Sequence, residues 1–296
     1  IDVIVTDHHT PGAELPAAHA VLNPNRVDCD YPDKGLAGAG VAYKLCQALI
    51  DALGGDADAL RWHLDLVALA TIADLAPLSG ENRVLAHYGL RVLRETRSAG
   101  LRALLRSAGV GTDVPLSAGQ VSHVLAPRLN AVGRMGAAMR GVSLLLQDDE
   151  TTAQILADEM EHENRTRQNV DRALLDDALE MLESSFDPQR DYAVVLSREG
   201  WHPGVIGIVA SRVVERVHRP VVLISEDRGT GRGRGSARSI PAFHLYEGIH
   251  ACASLLERYG GHRQAAGMDV RLDRIDAFRE RLNAHAHDVL APDDLV

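Results

Sequence analysis

From Thr151 to Ser185 the chain contains neither proline nor glycine. A run of that length without either breaker predicts one long helix, since those two residues interrupt helical backbone most strongly. Ile155, Leu156, Met160, Val170, Leu174, Leu175, Ala178, Leu179 and Leu182 keep partial helical spacing along it. Between Glu161 and Asn169 it is polar on every side, as expected of a helix bridging two domains. The heptad pattern is not sustained, so this is a linker rather than a coiled coil. Asp148-Asp149-Glu150 places acids at its positive end, and Phe186-Asp187-Pro188 stops it. With 296 residues there is length for roughly two domains. The helix assigns them: 1–147 before it, 148–187 as linker, 188–288 after it, and 289–296 as a tail.

Both sides carry α/β patterns. Ile1, Val3, Ile4 and Val5 predict a buried strand stopped by Pro11 and Gly12. Val41 to Leu53, Leu64 to Ala73 and Asn82 to Arg97 have helical apolar spacing, so strand and helix alternate over the first 145 residues. Beyond the linker, Tyr192 to Leu196 and Pro220 to Ser225 predict buried strands around a helix from Val205 to Val217. Gly229 to Gly235 follows as a Gly/Arg loop, then a helix over His244 to Arg258, a strand over Ala265 to Leu272 and a helix over Arg274 to His287.

A net charge of −10 argues against a protein that simply coats nucleic acid, but local basic patches on an acidic body leave a nuclease open. Aromatic residues make up 4%, too few for base stacking to be the main binding device. Cys29, Cys46 and Cys252 form no metal-spaced pair, which fits a reducing compartment. The longest apolar run, near Leu64 to Leu78, is interrupted by Asp65 and Asp74 and is too short to span a membrane. No basic leader precedes the first strand, and the expected location is the cytoplasm.

Six segments carry candidate chemistry. In T-D-H-H, Asp7, His8 and His9 sit at a strand's carboxyl end, where open α/β sheets hold ligands. Each can bind a metal or move a proton, and a ligating imidazole needs a carboxylate to fix its tautomer. A turn capped by Asp7 with two solvated histidines is the plainer alternative. In LALATIADLAPL, Asp74 ends an apolar helix, where a negative charge is disfavoured; it needs a cation, a cap or a metal nearby. APRLNAVGRMG places Arg128 and Arg134 around Asn130, with Gly133 and Gly136 allowing a tight turn. No acid lies between Val114 and Gln147, so Arg128, Arg134 and Arg140 are locally uncompensated. They suit phosphate oxygens, or acids elsewhere on this acidic chain.

REGWHPGVIGIVASRV sets His202, Gly204 and Gly207 at a helix start that can receive an anion, a pattern packing alone also produces. GRGRGSARSI gathers Arg232, Arg234 and Arg238 with Ser236 and Ser239, next to Arg228. Ser236 and Arg238 lie where a strand begins and are the better placed for an anion; a flexible basic loop accounts for Arg232 and Arg234. In ERYGGHRQAAGM, Gly260 and Gly261 let backbone approach a ligand with His262 in reach. A glycine helix terminator followed by a surface histidine has the same spacing.

The order of these segments is more specific than any one of them. T-D-H-H, A-D-L-A-P-L about 65 residues later, P-R-L-N-A-V-G-R, the long helix, G-W-H-P-G-V-I-G-I-V-A-S-R, G-S-A-R-S and G-G-H together resemble the DHH phosphoesterase superfamily. Within it the series is similar to the RecJ-type single-strand-specific exonucleases, over residues 1 to about 288. The resemblance implies part of a parallel-sheet DHH domain, joined by a long helix to a smaller α/β DHH-associated domain. It implies a phosphodiesterase that degrades single-stranded DNA from the 5′ end during repair and recombination, using two ions of Mn2+ or Mg2+. Carried over by motif, His8 and Asp74 are metal ligands, and Asp7 and His9 orient ligands or contact the leaving oxygen. Arg128, Asn130, Arg134, His202, Ser236, Arg238, Ser239, Gly260, Gly261 and His262 hold substrate, and the helix sets the width of a single-strand cleft. The implied partners are single-stranded DNA, a single-strand-binding protein and a repair helicase, with no membrane.

The family pattern also implies an aspartate-rich D-x-D element and a further strand-end aspartate ahead of T-D-H-H and, in RecJ-type exonucleases, an oligonucleotide-binding (OB-fold) domain after the tail. Neither is found in this sequence. The expectation is a piece of a longer protein with an incomplete ligand set, showing little nuclease activity alone. Two other readings stay open: a DHH oligoribonuclease or cyclic-dinucleotide phosphodiesterase, and a non-catalytic single-strand-binding remnant that uses only the second domain.

Overall fold

The computed structural model describes residues 1–12, 14–134 and 138–296, apart from the side chains of Val132 and Arg134. The chain divides into two compact units, Ile1–Asn164 and Arg165–Val296. That division falls inside one helix, in its polar stretch. Among the described residues no helix is long and apolar enough to cross a membrane.

Unit 1 opens with two short parallel strands, β1 (Ile4–Thr6) and β2 (Ala20–Leu22). Helices α1 (Gly38–Leu53), α2 (Ala57–Arg61), α3 (Leu64–Ala73), α4 (Gly80–Arg94) and α5 (Ala99–Ser107) follow. The turn α6 (Ala118–Gln120) runs through a π-helical segment, Val121–Leu125, into α7 (Ala126–Arg134), and α8 (Ala138–Leu145) precedes the long helix. The expected strand–helix alternation is corrected: after β2 the described residues of unit 1 contain no further strand. The first strand is not buried either, since Val3 and Ile4 are about half exposed. Burial of a parallel strand needs both faces covered by a layered sheet, and among the described residues β1 pairs with β2 alone.

The helices have local causes. Gly54, at φ +73°, closes α1 with its N–H on the Ile50 carbonyl. Asp56 caps α2, and the Ser98 hydroxyl accepts from the Leu101 N–H to cap α5. Leu69, Leu93, Leu101, Leu104, Leu125 and Leu144 fill the core between them. Buried Asp65 accepts from the Thr96 hydroxyl at 2.5 Å and the Leu66 N–H at 2.6 Å, and its burial pushes the carboxyl up.

The long helix, α9 (Glu150–Ser185), starts where Asp149 Oδ1 accepts from the Thr152 N–H and hydroxyl. Ala153, Ala157 and Met160 belong to the core of unit 1, and Leu174, Ala178 and Leu182 to a core of unit 2.

Unit 2 is a five-stranded sheet ordered β3-β4-β5-β7-β6. The strands are β3 (Val194–Glu199), β4 (Val221–Asp227), β5 (Arg232–Arg238), β6 (Leu256–Gly261) and β7 (Ala265–Arg271). β3 and β4 are parallel across α10 (Ile206–Val217), and the other pairs are antiparallel. Val194, Leu196, Val221 and Leu223 pack with α9 and α10, while Val195, Val222 and Ile224 face the opposite core with Phe243 and Phe278. Those phenylalanines flank or belong to α11 (Leu245–Ala251) and α12 (Ile275–Val289).

Two expectations fail here. The Gly/Arg segment is a turn only as far as Gly231; from Arg232 it is strand β5, inside the sheet, rather than a loop. Gly233 and Gly235 face the core, where a Cβ would come 2.6 Å from Ile224 Cγ2 and 2.3 Å from Met268 Sδ, so the glycines serve packing and not flexibility. The helix expected to run to Arg258 ends at Ala251, and Leu256–Gly261 is a strand whose pairing with β7 outweighs its helical spacing. Residues 289–296 also fold back: Leu295 is buried, and Arg219 Nη1 donates to its carbonyl at 2.7 Å.

Gly89 on α4 lies so close to α3 that a Cβ would stand 2.2 Å from the Leu64 carbonyl oxygen. Alanine favours a helix by about 1 kcal/mol over glycine, but a backbone carbonyl inside a helix cannot step aside. Gly89→Ala is therefore expected to lower stability by about 1–3 kcal/mol, read as a lower urea midpoint.

Candidate functional site

Asp7, His8 and His9 follow β1 directly and present one ligand atom each within 4.8 Å of one another. Asp7 Oδ1 accepts three bonds: from the His8 N–H at 2.7 Å, the His9 N–H at 3.2 Å and His9 Nδ1 at 2.8 Å. The imidazole bond, with the two backbone N–H groups, holds the Asp7 carboxyl below the usual carboxylate range against a partial desolvation cost. An ionised Asp7 fixes the proton of His9 on Nδ1 and leaves Nε2 with its lone pair outward. Asp74, at the C-cap of α3, brings Oδ2 to 3.6 Å from His8 Nδ1. The other edge of the His8 ring rests on α1, where a Cβ on Gly38 would meet His8 Cδ2 at 3.2 Å.

Two asparagines that sequence reasoning passed over hold this loop. Asn23 Nδ2 donates to the His9 carbonyl at 2.8 Å, and Asn25 Nδ2 donates to the His8 carbonyl at 2.7 Å. They flank Pro24 just after β2, so the parallel pairing of β1 and β2 brings them alongside the histidines. The available signal was the N-P-N sequence immediately after a second strand.

Of the P-R-L-N-A-V-G-R residues, α7 is a helix and not the expected glycine turn. Arg128 is compensated, with Nε 2.6 Å from Glu161 Oε2 and Nη1 donating to the Val124 carbonyl at 2.6 Å; Arg140 pairs with Glu163. Sequence distance concealed both partners, which lie on α9. Asn130 is exposed on α7, while the Arg134 side chain and Gly136 lie outside the described residues.

Unit 2 holds the remaining candidates. Ser236 and Arg238 crowd the first turn of α10: a Cβ on Gly207 would stand 2.8 Å from Ser236 Oγ and 3.0 Å from Arg238 Nη2. His202 caps the preceding turn by accepting the Gly204 N–H on Nδ1 at 3.1 Å. Ser239 donates to the Phe243 carbonyl at 3.0 Å and is taken up by the loop. Ser236 pairs with Gly267, and Gly267 with Gly260, so one cross-strand row links β5 to β6 with no side chain beyond the serine. Gly261 and exposed His262 turn the β6–β7 hairpin, correcting the helix-terminator alternative. The metal-type cluster thus belongs wholly to unit 1 and the anion-type row wholly to unit 2.

Comparison with known proteins gives one family match in each unit. The DHH family, N-terminal domain, matches residues 1–71, and the DHHA1 domain matches residues 190–288. The crystal structure of exonuclease RecJ bound to manganese superposes with a TM-score of 0.83 at 38% identity, covering 100% of this chain and 71% of that one. This chain belongs to the RecJ family. RecJ of Thermus thermophilus, in complex with Mn2+, gives a TM-score of 0.86 at 38% identity over 99% of this chain and 42% of its own. The single-stranded-DNA-specific exonuclease RecJ of Bacillus subtilis is 43% identical over 100% of this chain and 36% of its own length. The chain thus spans about a third of that RecJ relative, and 53% of the Escherichia coli one.

The asparagine tethers give a direct prediction. Asn25→Ala leaves the His8 carbonyl without its donor, a loss of about 1 kcal/mol of local stability. Amide hydrogen exchange at His8 and His9 is expected to quicken about fivefold, with α3 to α5 unchanged.

Proposed function

We propose that this chain provides the candidate catalytic and substrate-binding residues of a metal-dependent, single-strand-specific 5′→3′ exonuclease acting in DNA repair and recombination. The observation that carries this reading is the convergence of Asp7, His8, His9 and Asp74 at one strand end. The donor set fits a divalent ion: carboxylate oxygens and imidazole nitrogens suit Mn2+, and carboxylates suit Mg2+. His8 and Asp74 would hold the ion with Asp7. When bound, the ion supplies Lewis acidity toward water and a phosphoryl oxygen. Asp7 stays ionised and fixes the tautomer of His9, whose Nε2 is then free to carry a proton to or from a phosphodiester oxygen. Ser236, Arg238 and the backbone N–H groups at the start of α10 would grip phosphate oxygens, with the Gly260–Gly267 row leaving room for a strand.

Two ions would need more donors than these four, since each octahedral ion takes about six ligands. In this reading a second ion needs donors beyond these four. Single-stranded DNA is the proposed substrate, with a single-strand-binding protein and a repair helicase as working partners in the cytoplasm. The donor count also favours a second reading, a chain that binds single strands without cleaving them.

Digestion of 5′-labelled single-stranded DNA with Mn2+ tests both. The 296-residue chain is expected to bind the strand in preference to duplex and to release mononucleotides at no more than about 1% of the rate of RecJ relatives, a loss of roughly 2.7 kcal/mol or more in barrier. Equal binding of duplex would overturn the single-strand reading, and release at family rates would overturn the incomplete-site reading.

A further inference from the structure

One exposed edge of α4 carries Arg83, His87, Arg91 and Arg94, spaced four, four and three residues apart. That spacing puts all four on one stripe about 16 Å long. Tyr88 and Val84 stand beside it, 51% and 55% exposed. The guanidinium of Arg91 lies over the Tyr88 ring at 5.5 Å, and that of Arg97, just past the helix, over the Trp62 ring at 3.7 Å. Only Arg94 has a carboxylate partner among the described residues, Glu95 at 3.6 Å. A groove of about 390 Å3, lined by His87, Leu90, Arg91, Arg94, Glu95, Pro115 and Leu116, adjoins the end of the stripe.

Helix stability does not account for this arrangement. Arg91 and Arg94 suit the negative end of the helix dipole, but Arg83 sits in the first turn, where a cation is disfavoured. Like charges three and four residues apart repel. On a chain of net charge −10, an edge where Arg83 and Arg91 have no carboxylate partner among the described residues attracts a polyanion. A guanidinium stacked on an aromatic face keeps its N–H donors directed outward in plane, ready for phosphate oxygens. The flat, regularly spaced row favours a phosphate backbone over an acidic peptide, and exposed Tyr88 offers a face for a base.

We propose that the α4 edge is a second nucleic-acid contact, separate from the candidate site, which grips the phosphate backbone of a single strand. It rests on the single-strand reading above for the kind of strand, and on Arg83, Arg91, Arg97 and Tyr88 for the contact.

The test is fluorescence anisotropy of the whole chain with labelled oligothymidylate of ~20 nucleotides, in EDTA, across a salt series. Arg83→Ala/Arg91→Ala is expected to weaken binding about tenfold at low salt. Each lost contact removes about 0.7 from the slope of log K against log salt, so the pair lowers its magnitude by roughly 1.4. Arg83→Lys/Arg91→Lys should keep most of the slope, which separates charge from misfolding. Ser236→Ala/Arg238→Ala is the companion variant. Loss confined to that companion overturns the α4 proposal while the exonuclease reading stands; loss confined to the α4 variant does the reverse. Equal weakening for duplex, or displacement of polyglutamate alone, also overturns the proposal.

Discussion

One helix takes part in two hydrophobic cores, and the fold is arranged around that constraint. Residues Ala153 to Met160 of α9 pack in unit 1 and Leu174 to Leu182 in unit 2, with a polar stretch between. A 36-residue helix is far longer than the three or four turns typical of globular proteins, and its stability comes from packing into a core at each end. The pairing of Arg128 and Arg140 with Glu161 and Glu163 follows from it. Once α9 runs past α7 and α8, its glutamates meet arginines that have no acid near them in sequence.

Where burial is one-sided, the sequence was legible. The apolar periodicity of α1, α4, α10 and α12 marks their span to within a few residues, and the absence of breakers marks α9. It was not legible where glycine had two meanings. Gly233 and Gly235 look like a flexible loop but are the only residues thin enough to pass Ile224 and Met268 in a sheet interior. The Leu256–Gly261 segment has helical spacing yet is drawn into the sheet by its hairpin ladder with β7, a cross-strand term that its own periodicity does not report. The first strand misled in the opposite direction, because β-branched residues signal strand but not what covers it.

The candidate site divides the same way. Asp7, His8, His9 and Asp74 could be named from residue type and position, and their convergence is a property of β1 and the end of α3. Asn23 and Asn25 leave only the N-P-N sequence as a trace, because they act through backbone carbonyls of residues 14 and 17 positions away. Their effect is to hold a half-exposed loop bearing three candidate ligand groups in one arrangement, which would lower the ordering cost of binding an ion. In unit 2 the Ser236–Gly267–Gly260 row needed strand register before it could be seen.

The claim that this loop is a preorganised cation site is tested most directly by Mn2+ titration of the chain followed by electron paramagnetic resonance. The expected result is saturable binding that weakens at least about tenfold in His8→Ala and in Asp74→Asn, with the fold intact by circular dichroism. Mn2+ affinity left unchanged by both substitutions would contradict it.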